Sequence, residues 1–294
     1  NAANAVIAHN AARKGKTLFT RGETGAPLTL RLYATERDEG EAVARAVEEA
    51  IRGGARPADA AVLYRTNAQS RPIEDALRRA RIPYDIYGGV KFYDRKEVKD
   101  ALAYVRLLVN PRSDVDFARI VNVPARGLGK GSMEKLDTLA QQKGVCLLEA
   151  AAMALAGEVT LPGKAKRGVD ELLRVFEALA PRVTEPTPAT LVEDLLEKTG
   201  YLTMLRLEGT DDSEQRLENL SELVNAIVEY TERADEPTLL GFLEEVALAT
   251  DIDALEESAD HVSLMTLHSA KGLEFPLVFL PGMEEGLFPH SRSL

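Results

Sequence analysis

Alternating and helically spaced apolar positions predict a regular order of elements in the first part of the chain. Residues 28–34 alternate apolar and polar side chains, as a strand does, and residues 38–52 repeat apolar positions every three to four residues, as a helix does. A short apolar run at 60–64 predicts a second strand, residues 84–87 are a candidate third strand, and a helix is predicted between them at 72–80. This alternation indicates a parallel sheet flanked by helices.

The middle of the chain predicts helices only, from residue 96 to about residue 259. Apolar runs at 262–267 and 277–280 then return to the pattern of buried strands. The fold class predicted is therefore α/β, with a parallel sheet interrupted by a large all-helical insertion. The predicted helices of the insertion and its approach lie at 98–109, 132–143, 168–179, 190–198, 214–234 and 238–249.

Composition is that of a globular protein. The chain has 294 residues, of which 45% are hydrophobic and 28% charged, so we expect two cores, or one core with a large insertion. One cysteine and four histidines indicate neither a disulfide nor a metal site. No apolar run approaches the length of a membrane helix, and we expect a cytoplasmic protein without a membrane partner. The first 15 residues read as a helix that begins upstream, so we expect a piece of a longer protein.

Charge is unevenly distributed. The net charge of -11 alone argues against a nucleic-acid partner, because such binding begins with neutralising phosphates. Residues 65–135, however, hold 15 Lys/Arg against 9 Asp/Glu, an excess of +6, which leaves 21 against 38, or -17, for the rest of the chain. A basic block inside an acidic protein keeps nucleic acid open as a partner.

A polar loop follows the strand at 262–267 and has the chemistry of a phosphate site. Ligands of parallel sheets lie beyond the carboxyl ends of the strands, where His268 and its neighbours belong. Lys271 offers a point charge, Gly272 permits close backbone approach and Glu274 can accept hydrogen bonds from ribose hydroxyls. The alternative interpretation is a solvated turn with an exposed lysine.

Two other segments carry candidate DNA-binding residues. Arg65 and Asn67 follow the strand at 60–64 and suit phosphate and base contacts. From the residues alone, ordinary surface ion pairs of Arg65 and Arg71 are the favoured alternative. Beyond them, Phe92 and Tyr93 stand among basic residues, and we interpret both as core aromatics rather than as bases' stacking partners.

A glycine-rich turn precedes the helix predicted from Ser132. Gly127 and Gly129 flank Leu128 and let backbone amides approach a phosphate, and Lys130 adds charge. The same pattern is consistent with a plain turn between two helices. A second short turn, at residues 200–201, is a further candidate of this type.

The segment TLHSAKGLEF, followed by GMEEGLFPH, closely resembles motif V of UvrD/PcrA/Rep-type superfamily 1 DNA helicases and its downstream extension. The resemblance implies that Lys271 lies near the terminal phosphate of ATP and that Glu274 binds the ribose. It also implies that His268 lies between nucleotide and DNA, and that His290 contacts single-stranded DNA.

Further segments extend this resemblance over essentially the whole chain. VLYRTNAQSR resembles motif IV, whose arginine and asparagine face the single strand, and Gly-Leu-Gly resembles hairpins that grip duplex DNA. The implied organisation is a tail of the first RecA-like domain (1–26), a second RecA-like domain called 2A (27–110 and 260–294) and a helical insertion called 2B (111–259).

The activity implied is ATP-dependent 3′-to-5′ movement on single-stranded DNA and unwinding at single-strand/duplex junctions, with DNA-repair proteins as partners. A phosphate-binding Walker A loop is absent, because Asn10 stands where its first glycine would be, so ATP and Mg²⁺ would be held mainly by another domain. Two alternatives stay open: a helicase-nuclease of the RecB or AddA kind, and a non-catalytic DNA-binding or regulatory module.

Overall fold

The computed structural model describes residues 25–255, 260–285 and 287. The chain divides into one unit at Asn1–Tyr33 and a second at Ala34–Leu294. In the first unit, the described residues 25–33 form no regular element, so the strand predicted at 28–34 is wrong. Alternation alone does not make a strand: Leu28, Leu30 and Leu32 are more than 80% exposed and pair with no strand among the described residues.

In the second unit, β1 (Ala60–Tyr64), β2 (Tyr84–Ile86), β3 (Val262–Thr266) and β4 (Leu277–Phe279) form one sheet. The strand order is β2-β3-β1-β4, and every pairing is parallel. The predicted parallel sheet is confirmed. Because β1 and β3 are neighbours, with Tyr64 opposite Thr266, the loops that leave them begin side by side.

Two helices cover the sheet, α1 (Glu36–Arg52) and α2 (Ser70–Arg79). The hydroxyl of Thr35 accepts a hydrogen bond from the Asp38 amide at 3.1 Å and caps the start of α1. A side chain at Gly40 would place its Cβ 2.7 Å from the Pro72 carbonyl oxygen, so α1 and α2 are in close backbone contact there.

The middle of the second unit is helical, as predicted, and within residues 96–255 the structure contains no strand. Three short helices, Asp114–Ile120, Leu147–Leu155 and Tyr201–Glu208, were missing from the sequence prediction. The helices are α3 (Lys96–Val109), α4 (Asp114–Ile120), α5 (Lys130–Lys143), α6 (Leu147–Leu155), α7 (Gly163–Leu179), α8 (Pro188–Lys198), α9 (Tyr201–Glu208), α10 (Asp211–Arg233) and α11 (Leu239–Leu255).

Two hydrophobic clusters form the interior of the second unit. The smaller joins α1 and α2 to the sheet and includes Val47, Leu77 and Leu264. The larger lies among the helices α3 to α11 and also takes in Phe92 and Tyr93, which are 1% and 7% exposed. The interpretation of these two aromatics as core residues is confirmed.

Among the described residues, no helix is long and apolar enough to cross a membrane. The same residues contain no group of three or more His, Cys, Asp or Glu side chains that would suit a metal ion.

Candidate nucleic-acid and nucleotide interface

The loops after β1 and β3 are in contact. Arg65 Nη1 lies 3.2 Å from His268 Nδ1, which joins the two segments that the sequence singled out as DNA-facing and nucleotide-facing. The backbone supports this approach, because the Leu267 amide donates to the Tyr64 carbonyl at 2.8 Å. The sheet therefore brings Arg65 and His268 to one edge, at the carboxyl ends of its strands.

The turn after β1 is held by Gln69, which sequence reasoning missed. Its side-chain oxygen accepts hydrogen bonds from the amides of Arg65 and Thr66 at 2.9 and 3.0 Å. Asn67 starts a short 3-10 turn, and its side-chain nitrogen Nδ2 donates to Gln215 Oε1 on α10 at 3.3 Å. Asn67 is therefore positioned by a helix that lies 148 residues further along the chain.

The loop after β3 is a tight polar turn. The Thr266 hydroxyl lies 3.1 Å from the Ser269 hydroxyl, and the Ala270 amide donates to the Thr266 carbonyl at 3.0 Å. Gly272 has φ +89, a conformation that favours glycine, and an added Cβ there would meet no atom of the described residues within 4 Å. The loop therefore leaves open space beside the Gly272 backbone.

The side chains of His268, Lys271 and Glu274 are exposed around this loop. Neither Lys271 nor Glu274 forms an ion pair or side-chain hydrogen bond with a residue of the described part of the chain. A cation, an open glycine and a carboxylate are thus available to a polar ligand at the sheet edge. His290 lies outside the described residues.

Beyond β4, the chain is tied back to α1 by Glu39. Its carboxylate oxygens accept from the Gly282 amide at 3.1 and 3.2 Å. Burial raises the pKa of Glu39, and the hydrogen bond from Gly282 opposes that rise. This contact fixes the segment that leads towards His290 at the point where it leaves the sheet.

The glycine-rich turn at 127–130 lies on the helical part and is shaped by Asn122. Asn122 Oδ1 accepts hydrogen bonds from the amides of Arg126, Gly127 and Leu128 at 2.8, 3.1 and 3.3 Å. Gly127 has φ +83, which explains the need for glycine. Leu128 is 3% exposed and anchors the turn in the helical core.

The far end of the turn is open to solvent. Gly129 is the N-cap of α5, and the side chain of Lys130 is 92% exposed, with Glu134 Oε1 at 3.9 Å. Such an exposed pair contributes little and leaves Lys130 available to a ligand.

The buried guanidinium of Arg126 connects this turn with the second candidate turn. It donates to the carbonyls of Ile120 and Thr199 at 3.0 and 2.7 Å, and to the Tyr104 hydroxyl at 2.9 Å. Gly200, which follows Thr199, is the N-cap of α9 and has φ +78. The structure therefore places the two candidate turns beside each other, although 73 residues separate Arg126 from Thr199.

The alternative that Arg71 forms an ordinary surface ion pair is wrong. It is 3% exposed, and its guanidinium binds Glu222 at 2.5 Å, Glu229 at 2.9 Å and Asp75 at 3.1 Å. Burial acts to lower the pKa of Arg71, but the bonds to Glu229 and the charges of Glu222 and Asp75 outweigh it and leave the pKa raised. Arg71 therefore joins α2 to α10 in the interior.

A second buried set lies beside it. Glu74 accepts hydrogen bonds from the Ser70 hydroxyl at 2.5 Å and the Phe92 amide at 3.0 Å, with Arg95 Nη2 at 3.9 Å. Arg95 also donates to Asn219 on α10 at 2.8 Å. Burial raises the pKa of Glu74, although Arg95 and these hydrogen bonds favour its charged form.

A model of the UvrD-like helicase C-terminal domain matches residues 1–156 and 163–294. The chain belongs to this family. The match includes both strand-end loops, the turn at 127–130 and α10, so the geometry described above is that of a UvrD-like helicase C-terminal domain.

Curated relatives agree with this assignment. The chain is similar to proteins named ATP-dependent DNA helicase PcrA, with 42% identity over 299 residues in Staphylococcus epidermidis and 43% over 300 residues in Bacillus subtilis. The Staphylococcus aureus protein of the same name is 42% identical over 299 residues. In each comparison all of this chain is covered, and it spans 40% of the relative's length.

Proposed function

We propose that this chain is part of an ATP-dependent DNA helicase that moves 3′ to 5′ on single-stranded DNA and unwinds duplex DNA in repair or replication. It would work in the cytoplasm, on the nucleoid, with DNA-repair proteins as partners. Membership of the UvrD-like family and the names of the relatives support this proposal. The observation that carries it is the contact of Arg65 with His268, which joins a candidate DNA-facing loop to a candidate nucleotide-facing loop.

The proposed organisation has three parts: a tail of a first RecA-like domain at 1–26, a second RecA-like domain (2A) at 27–110 and 260–294, and a helical insertion (2B) at 111–259. The all-parallel order β2-β3-β1-β4 supports a RecA-like sheet. The separate hydrophobic cluster among the helices supports an insertion with its own core.

On the nucleotide side, Lys271 would contact the terminal phosphate of ATP, Gly272 would allow the phosphate close to the backbone, and Glu274 would bind the ribose. Their exposure and the open space at Gly272 fit such a ligand. His268 belongs to the same loop, and its ring contacts Arg65. A movement of the loop would therefore be transmitted to Arg65 through this contact. ATP supplies the free energy of hydrolysis, and both ATP and Mg²⁺ would be held mainly by a domain outside this chain.

On the DNA side, Arg65, Asn67 and His290 would hold the single strand. Arg65 and Asn67 follow β1 at the end of the sheet where His268 also lies. A movement of the loop after β3 would therefore displace Arg65 directly. Gly127, Gly129 and Lys130 would contact the duplex ahead of the junction, where an exposed cation next to open backbone suits a phosphate.

The nucleotide assignment is tested by Lys271→Ala in a longer protein that contains this chain and a phosphate-binding loop. Steady-state ATP hydrolysis should fall by at least about tenfold, since a charge that stabilises the transferred phosphoryl group is lost, while single-stranded DNA affinity is retained. Lys143→Ala, at the exposed end of α5, is the matched control and should leave both quantities unchanged. An unaltered hydrolysis rate for Lys271→Ala would remove that role.

The duplex assignment is tested by Lys130→Ala in this chain. Affinity for a duplex with a single-stranded tail should fall, while affinity for the plain single strand stays the same, because the contact is made to the duplex only. An unchanged ratio of the two affinities would show that the turn at 127–130 does not grip duplex DNA.

A further inference from the structure

Gln69 connects the turn after β1 (residues 65–69) with a second segment that is remote in sequence. Its Oε1 accepts hydrogen bonds from the backbone amides of Arg65 and Thr66 at 2.9 and 3.0 Å, and its own backbone amide donates to the Thr66 carbonyl at 3.3 Å. Since a side-chain amide nitrogen cannot accept, these two donors fix which end of the Gln69 side chain faces the turn. Nε2 is therefore left to contact a different neighbour.

That neighbour is Gly282, in the segment after β4 (residues 280–285). A Cβ added at Gly282 would overlap Nε2 of Gln69 and would lie 3.3 Å from its Cδ. Gly282 also has φ +68, a conformation that favours glycine. A larger residue at this position would push the Gln69 side chain aside, and with it the oxygen that holds the turn after β1.

Glu39 of α1 holds Gly282 as well. Its carboxylate oxygens accept from the Gly282 amide at 3.1 and 3.2 Å, and Glu39, Gln69 and Gly282 are all partly buried. Glutamine suits the position between the two segments, because its side chain accepts at one end and presents an uncharged nitrogen at the other. A glutamate there would place a second carboxylate beside Gly282.

We propose that Gln69 is a positioning residue for single-stranded DNA: it couples the turn that presents Arg65 and Asn67 to the segment after β4, without itself contacting DNA. The inference rests on the proposed role of Arg65 in holding the single strand. A displacement of about 1 Å in a supporting residue is enough to weaken an interaction that depends on geometry. Because Gln69 holds the backbone of Arg65 and packs on Gly282, a movement of Gly282 is transmitted to Arg65.

The test measures the affinity of this chain for single-stranded DNA by fluorescence anisotropy across a salt series. We expect Gln69→Ala to lower the affinity at least about threefold at low salt, and to make the slope of log affinity against log salt shallower by about 0.7, which corresponds to one lost phosphate contact on a single strand. Arg65→Ala should change the slope equally. Because both changes remove the same contact, adding Gln69→Ala to Arg65→Ala should cause little further loss.

Gly282→Ala tests the contact with the segment after β4. The added methyl group should displace Gln69 and lower single-stranded DNA affinity, and it should have little further effect once Gln69→Ala is present. Gly144→Ala is the matched control, since Gly144 is the C-cap of α5, also has φ +68, and would place its Cβ within 4 Å of no described atom. Both glycine changes strain the backbone and should lower the melting temperature, but only Gly282→Ala should weaken binding.

Losses for Gln69→Ala and Arg65→Ala that multiply in the double variant would show that Gln69 acts independently of Arg65, and would overturn the inference. An equal loss of affinity in Gly282→Ala and Gly144→Ala would overturn it too, because lost stability alone would then account for both. If Arg65→Ala leaves the affinity unchanged, the proposed DNA role of the turn fails. If Arg65→Ala weakens binding and neither Gln69→Ala nor Gly282→Ala does, only the inference about Gln69 fails.

Discussion

The side chains of Arg65 and His268 meet at 3.2 Å although 203 positions separate them in the chain. The contact is a consequence of the sheet, since β1 and β3 pair in parallel and end together at Tyr64 and Thr266. In the neutral imidazole, a Nδ1 that accepts from Arg65 leaves the ring proton on Nε2. In that tautomer, Nε2 of His268 is the ring nitrogen that can donate to a ligand or neighbour.

If this contact couples the two loops, Arg65→Ala and His268→Ala should not act independently. In a longer protein with the complete motor, the double variant should lose DNA-stimulated ATP hydrolysis by less than the product of the two single losses, because either change alone breaks the same bond. The pair Arg65→Ala and His261→Ala is the control, since His261 faces Asp85 at 3.8 Å instead. If the loss in the Arg65→Ala/His268→Ala double variant equals the product of the two single losses, the contact does not couple the two loops.

Arg71 should be among the residues most important for stability. Arg71→Ala leaves Glu222, which is buried, without its cation, and the loss of one member of a buried ion pair costs about 3–5 kcal/mol of the free energy of unfolding. Arg45→Ala removes an exposed arginine and should cost less than about 0.5 kcal/mol. Urea denaturation of the two variants checks this, and equal midpoints would contradict a structural role for Arg71.

Glu74 should make stability depend on pH. Burial raises its folded-state pKa above the ordinary value of 4.5, so between the two pKa values the folded chain binds more protons than the unfolded chain. The contribution of this carboxyl to stability therefore falls as pH rises through that window. Glu74→Gln removes the titration, so the difference in unfolding free energy, variant minus parent, should increase from about pH 4 upwards. A difference that stays constant with pH would contradict the raised pKa.

Gly168→Ala should loosen the junction between α7 and the turn at 127–130. The added methyl group would overlap Arg126 Cβ and its carbonyl oxygen, and overpacking of this kind costs about 1–3 kcal/mol. A lower melting temperature is therefore expected, together with weaker binding to tailed duplex. Gly131→Ala, also within a helix but where an added Cβ meets no described atom within 4 Å, is the control and should not lower the melting temperature.

Two central strands of the sheet were predictable because each is a short apolar run next to polar residues. The runs at 60–64 and 262–267 correspond to Ala60–Tyr64 and Val262–Thr266 in the structure. The helices Asp114–Ile120, Leu147–Leu155 and Tyr201–Glu208 were missed because elements of seven to nine residues offer too few periods of the apolar pattern.

From the sequence alone, only the local chemistry of the candidate site could be predicted. Lys271, Gly272 and Glu274 could be selected because they follow a strand, but the partner of His268 lies in a distant segment. Local patterns report charge and not burial, which is why Arg71 was open to a surface interpretation although three carboxylates enclose it.

We propose that this chain is the DNA-contacting, phosphate-sensing part of an ATP-driven motor whose nucleotide is held mainly elsewhere. The most direct measurement is ATP hydrolysis, with and without single-stranded DNA, by this 294-residue chain and by a longer protein that contains it. We expect hydrolysis that rises with DNA in the longer protein and none in the chain alone. Hydrolysis by the chain alone, or a longer protein that stays silent with DNA present, would contradict it.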